Sequence, residues 1–335
     1  MNTIDPRGNY EANMPSTKSL TLASTLKLND GNEIPYMGLG VWKSSTCDTA
    51  VTAALKNNYR HIDTARAYGN EREVGEGIRA SGVPRSEIFV TSKINDEDHG
   101  YDSTLRCVDE SLELLGLDYI DLYLIHNPRS GTEKRLETWR ALEKCVKDGK
   151  VRSIGVSNYA PRHIQEILDL SPKIKPALNQ IELHPYSQQR EITDYCKEKG
   201  IALAAYAPLT RCKHFDKPEV VKVAEKHGVT TPQVLVRWNL EKGYVVLPKS
   251  EKEERIKSNA DAYGFSLDEE DMKLLDTCDK GDCSGMVFDR RNCPSLSPFR
   301  TIANKADDVT QQLTFSNPND HSQSSFDARP NKCRL

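Results

Sequence analysis

The chain has 335 residues, 37% of them hydrophobic, and 46 Lys and Arg set against 49 Asp and Glu give a formal net charge of −3. That length suits one closed α/β barrel with extensions. A near-neutral charge without a basic block argues against nucleic acid or an anionic membrane as partner and for a small-molecule substrate.

Residues 1–20 are rich in Asn, Pro, Ser and Thr without apolar periodicity, and a disordered extension is expected there. The segment LKLNDGNEIPYM that follows carries Asp30-Gly31 at a turn position, which predicts a small β-hairpin capping one end of the fold. Short apolar, β-branched runs then recur at 36–40 (YMGLG), 59–63 (YRHID), 87–93 (EIFVTSK), 120–126 (IDLYLIH), 151–157 (VRSIGVS), 177–183 (ALNQIEL), 201–207 (IALAAYA) and 243–250 (GYVVLPKS). Between them lie stretches of helical spacing, such as 104–115 with Leu105, Val108, Leu112 and Leu115 on one face, and 136–146. Strands alternating with helices imply a parallel sheet. An open doubly wound sheet would usually carry G-x-G-x-x-G after its first strand. None is present, so a (β/α)8 TIM barrel over 21–302 is expected. Residues 303–335, rich in Asp, Asn, Gln, Ser and Pro, predict a disordered polar tail.

The first thirty residues lack the apolar centre of a secretory signal and no long apolar run occurs, so a soluble, cytoplasmic protein without membrane contact is expected. The nine cysteines are scattered and never spaced C-x-x-C, which predicts buried thiols on helices rather than a disulfide framework or a zinc site. The ending Cys333-Arg334-Leu335 resembles the small-basic-Leu signal of peroxisomal import, an alternative to cytoplasmic residence.

In such a barrel the C-terminal ends of strands carry the chemistry. Polar residues fall there repeatedly: Asp63, Lys93, His126, Ser157 with Asn158, Gln180, Tyr206 and Lys249. Carbonyl reduction requires a hydride, a proton for the developing alkoxide and a group that polarises the oxygen. No side chain supplies hydride, so a nicotinamide is implied. Tyr68, five residues past Asp63, can donate the proton, a Lys93 ammonium beside it would stabilise the phenolate, Asp63 would hold Lys93, and His126 could hydrogen-bond the substrate oxygen. Taken singly each residue has a plainer reading: Asp63 as a helix N-cap, Lys93 as a solvated charge, His126 as a structural histidine, Tyr68 as loop packing. Their combination at successive strand ends favours the chemical one.

The chain resembles the aldo-keto reductases. NYRHIDTARAYGNE (58–71), TSKI (91–94), DLYLIHNP (121–128), GVSN (155–158), NQIELHP (179–185), YAPL (206–209) and PKSEKEERIKSN (248–259) match that family's motifs in order, covering roughly 24–280. The resemblance implies an NADPH-dependent aldehyde or ketone reductase, acting as a monomer, with Tyr68 as acid and Lys93, Asp63 and His126 in support. It further implies that Ser157, Asn158 and Gln180 contact the nicotinamide amide and that Tyr206 stacks on its ring. Lys249, Ser250 and Arg255 would bind the adenosine 2′-phosphate, and Asn259 the adenine. Trp42 and Asn127 would line the substrate pocket. Asn127 stands where many members carry Trp, Ala207 replaces a common Ser and Ser258 a common Glu. His184 and Pro185 are read as structural. Two rival readings fit less well: a non-catalytic protein on the same fold, which a missing member of the group of four would favour, and a metal-dependent hydrolase, which would want more clustered ligands than His126 and Asp63.

Overall fold

The computed structural model describes residues 19–280. The expected polar tail at 303–335, its Cys333-Arg334-Leu335 ending and most of the N-terminal extension lie outside them. Leu20, assigned to the extension from the sequence, is buried in the core.

A hairpin comes first, with β1 (Thr25–Lys27) antiparallel to β2 (Glu33–Pro35) and Leu26 opposite Ile34. Its turn forms as the Asp-Gly pair predicts: Asp30 Oδ1 accepts the Asn32 N–H at 3.0 Å, and Gly31 takes φ +92°, where a side chain would be strained. The amides of Asn29 and Asn32 fasten the hairpin to the barrel, bonding the Pro176 carbonyl and the Ser153 hydroxyl respectively.

The eight strands that follow each fall within a predicted run, with 87–93 extended by one residue. They are β3 (Leu39–Gly40), β4 (His61–Asp63), β5 (Phe89–Ile94), β6 (Ile120–Ile125), β7 (Val151–Ser157), β8 (Leu178–Glu182), β9 (Ala202–Tyr206) and β10 (Val245–Leu247). Every neighbouring pair is parallel and sequential. Parallel bridges from Met37 to Val246 and from Gly40 to Lys249 join first strand to last and close the barrel.

Helices α1 (Cys47–Lys56), α2 (Glu71–Ser81), α3 (Tyr101–Leu115), α4 (Thr132–Lys147), α5 (Pro161–Asp169) and α6 (Arg190–Glu198) each lead from one strand to the next. Two helices, α7 (Pro218–His227) and α8 (Thr231–Glu241), separate β9 from β10, and α9 (Glu253–Ala260) and α10 (Glu269–Asp276) follow. The predicted face of α3 is shifted by one residue. Its buried positions are Thr104, Cys107, Val108, Ser111 and Leu115, with Leu105 and Leu112 only partly covered. Small side chains let this helix approach the sheet until the Ser111 and Tyr123 hydroxyls lie 2.9 Å apart. Of the cysteines among the described residues, Cys47, Cys107, Cys145 and Cys196 are buried free thiols on helices, Cys278 is buried just past α10, and Cys212 is half-buried at the end of the 3-10 turn Thr210–Cys212.

The core divides into two. Leu28 and Ile34 of the hairpin plug one end of the barrel and pack with Phe89, Leu122, Leu124, Leu178, Ala204, Val245 and Leu247 from its interior. The alternate strand residues, such as Val90, Tyr123, Ile125, Ile154 and Val246, pack outward against the helices. Among the described residues, no helix is long and apolar enough to cross a membrane.

Candidate active site

The period of two along a strand carries the interior apolar cluster up to the open mouth. Phe89 on β5 is followed four residues later by Lys93, Leu124 two residues later by His126, Leu178 by Gln180, Ala204 by Tyr206 and Leu247 by Lys249. The polar residues singled out from the sequence therefore continue the inward face of their strands, and the register of neighbouring strands sets them side by side.

Lys93 is fully buried. Its ammonium donates to Asp63 Oδ1 at 2.7 Å and to the Thr64 carbonyl at 2.8 Å, and it stands 3.5 Å from the Tyr68 hydroxyl. Asp63 spends its second oxygen on Gln180 Nε2 at 2.7 Å, across the barrel from β8. The Asp63 carboxylate is thus occupied by Lys93 and Gln180. The helical turn that follows, Arg66–Tyr68, starts from Ala65 and has no side-chain cap, so the N-cap reading of Asp63 is not realised. Tyr68 ends that turn and meets His126 edge to face, with ring centroids 5.8 Å apart.

Burial dominates the charges here. It pushes the Lys93 ammonium below its ordinary range, with Asp63 opposing. Burial, followed by the Asp63 charge, holds the Tyr68 phenol well above the usual tyrosine range. The aid expected from Lys93 therefore does not make Tyr68 acidic at rest, and the phenol stays protonated. Burial and then Lys93 push His126 down to about 3, so its imidazole is neutral at physiological pH.

Two residues of the first matched motif gain a place that the sequence reading did not assign. Thr64 Oγ1 donates to Asn70 Oδ1 at 2.7 Å, and Asn70 Nδ2 donates to the Val41 carbonyl at 2.9 Å. These buried bonds close the 64–70 loop at its base and anchor it beside β3, leaving Tyr68 at its tip. The only sequence signal was their proximity to Tyr68.

On the opposite wall, Ser157 Oγ donates to the Gln180 carbonyl at 2.8 Å. Asn158, in the left-handed region at φ +60°, donates to the His126 carbonyl at 3.0 Å and accepts the Tyr206 hydroxyl at 2.8 Å. Ser157, Asn158, Gln180 and Tyr206 form one connected group of amide and hydroxyl functions next to an aromatic ring, a donor set suited to a carboxamide-bearing heteroaromatic such as nicotinamide. Beyond β10, Arg255 Nε donates to Ser250 Oγ at 3.2 Å, and Lys249 lies one residue before Ser250. Two cations flanking a hydroxyl suit a phosphate. Buried Asn259 follows on α9, the helix that carries Arg255.

The two pocket candidates differ. Trp42 is 40% exposed, with the Arg211 guanidinium 5.4 Å and the Lys43 ammonium 4.6 Å from its ring. Asn127 is buried; its amide donates to Asp96 Oδ1 at 3.2 Å and accepts the Arg129 N–H at 3.0 Å, so it ties together the loops after β5 and β6. His184, read as structural, is buried 3.3 Å from the Glu182 carboxylate.

The sequence profile of the aldo/keto reductase family matches residues 37–280. The glyoxal reductase of Bacillus subtilis is 49% identical over 268 residues, covering 79% of this chain and 96% of its own. The 9,11-endoperoxide prostaglandin H2 reductase of Trypanosoma cruzi is 46% identical over 255 residues, covering 74% and 89%. Among solved structures, the Bombyx mori aldo-keto reductase in complex with NADP superposes with a TM-score of 0.73 at 35% identity, over 81% of this chain and 96% of that one.

Proposed function

The chain belongs to the aldo/keto reductase family, and on that premise we propose that it reduces the carbonyl of an aldehyde or ketone to the alcohol with NADPH, Tyr68 serving as general acid. NADPH, when bound, supplies the hydride. As the carbonyl carbon is reduced, its oxygen becomes an alkoxide and takes the Tyr68 proton. The phenolate left behind is stabilised by the Lys93 ammonium, which Asp63 holds in place. Neutral His126 donates a hydrogen bond to the same oxygen and orients it. Ser157, Asn158 and Gln180 would hold the nicotinamide carboxamide and Tyr206 its ring. Lys249, Ser250 and Arg255 would hold the 2′-phosphate, and Asn259 the adenine. Trp42 would form an exposed wall of the substrate pocket, and Asn127 would shape it through the loops it ties.

The observation that carries this reading is the Lys93 ammonium, bound to Asp63 and 3.5 Å from the Tyr68 hydroxyl beside the His126 ring. No metal enters the proposed reaction, so a chelator should leave the rate unchanged. Substrates fall among aldehydes, including small polar and sugar-derived ones, and ketones; the reduction of glyoxal by a relative supports the small-aldehyde end. NADPH oxidation assayed across aldehydes, sugar aldehydes, ketones and keto acids tests the reading. Turnover that requires both NADPH and the carbonyl is expected, and no turnover with any of them would contradict it. The same reading takes the chain to act as a monomer in the cytoplasm, which sedimentation and cell fractionation check.

A further inference from the structure

Glu251 places a negative charge where a phosphate site calls for positive ones. It follows Ser250 in the segment between β10 and α9, and its carboxylate lies 3.2 Å from Lys249 Nζ and accepts the Ser45 backbone N–H at 2.7 Å. The two side chains are only 19% and 20% exposed, so solvent screens the pair incompletely. Although burial pushes the Glu251 carboxyl up, the Ser45 N–H and Lys249 together hold it below the usual carboxylate range, and it stays ionised. One of the two cations expected to read the 2′-phosphate is therefore already paired with a carboxylate of this chain.

We propose that Glu251 is a specificity-determining residue that narrows the preference for NADPH over NADH. The inference rests on Lys249 and Arg255 binding the 2′-phosphate. A 2′-phosphate arriving at Lys249 meets the standing charge of Glu251 and must share the ammonium with it, whereas the 2′-hydroxyl of NADH brings no such charge. The repulsion thus weakens one cofactor only. The second contact of Glu251, to Ser45, ties the segment between β10 and α9 to the loop after β3, and that tether serves both cofactors alike. Charge and tether are separable, because a glutamine keeps an acceptor for the Ser45 N–H and loses the charge.

The test is calorimetric binding to the full chain of NADP+ against NAD+, and of 2′,5′-ADP against 5′-AMP, with thermal melts to show that each variant is folded. Glu251→Gln should tighten NADP+ and 2′,5′-ADP roughly 5- to 20-fold, the range for removing one like charge near a partly screened phosphate. NAD+ and 5′-AMP should change by less than about twofold. An unchanged ratio between the phosphorylated and unphosphorylated ligands, or one that falls, would overturn the proposal. Lys249→Ala separates the two levels of the argument. If it spares that ratio, the phosphate assignment itself fails and the role of Glu251 with it. If Lys249→Ala lowers the ratio while Glu251→Gln leaves it alone, the phosphate assignment stands and only the role of Glu251 is lost.

Discussion

The Lys93 ammonium lies 2.7 Å from Asp63 Oδ1 inside the barrel, without exposed surface. A buried pair of this kind is costly to break by halves, because the remaining charge is left without a partner. Lys93→Met should lower unfolding stability by about 3–5 kcal/mol. The double variant Lys93→Met with Asp63→Leu should recover much of that loss while remaining inactive. Urea melts check this, and a single variant as stable as the parent would show that the pair is not coupled as its geometry implies.

The Thr64–Asn70 bond is expected to position Tyr68 without touching substrate. Asn70→Ala should free the 64–70 loop and lower kcat about tenfold or more, as for a misplaced reacting group. Cofactor affinity and KM should change little, because the Asn70 side chain is spent on Thr64 and the Val41 carbonyl. A loss confined to KM would mean that the loop serves substrate binding instead.

Arg255 tests cofactor recognition from the side of attraction. Arg255→Ala should weaken NADPH by about 1–3 kcal/mol, the range for a charge-assisted contact, and leave NADH nearly unaffected. Equal losses for both cofactors, measured by fluorescence titration, would show that Arg255 does not read the phosphate.

Acid stability follows from three buried histidines. Burial pushes His61 and His99 down to about 4 each and His126 to about 3, whereas in the unfolded chain they titrate near 6.5. Between those values the unfolded state binds more protons, so stability is full above about pH 6.5 and falls as pH drops toward 4, by up to about 1.4 kcal/mol per pH unit for each. Burial raises Glu71 and Asp121, which acts in the opposite sense. Melts at pH 7, 6 and 5 should show the decline, with a shallower slope in His61→Gln. A flat profile would contradict the burial of the three rings as neutral species.

The strands were legible because buried parallel strands are written as short β-branched runs, and the strand-end rule then pointed to Asp63, Lys93 and His126. Cross-barrel partnership was harder to read. Gln180 and Asp63 are 117 residues apart and meet only through the register of the sheet. Glu251 lay within a charged run that gave no sign of a partner 206 residues away at Ser45. Asn127 reads as a pocket residue by position, yet its amide is spent on Asp96 and Arg129, a choice made by loop geometry. The resting state of Tyr68 is illegible in the sequence for a different reason, since it depends on desolvation and on the Asp63 charge, which only the folded site sets.

Tyr68→Phe removes the hydroxyl that stands 3.5 Å from the Lys93 ammonium and keeps the ring that packs against His126. Single-turnover oxidation of NADPH by an aldehyde, with cofactor affinity measured in parallel, tests the central claim most directly. The account predicts a fall of at least about 100-fold in the chemical step, within the range for loss of a general acid, with NADPH affinity and the thermal melt nearly unchanged. A folded Tyr68→Phe protein that still reduces the aldehyde at close to the parental rate would contradict it.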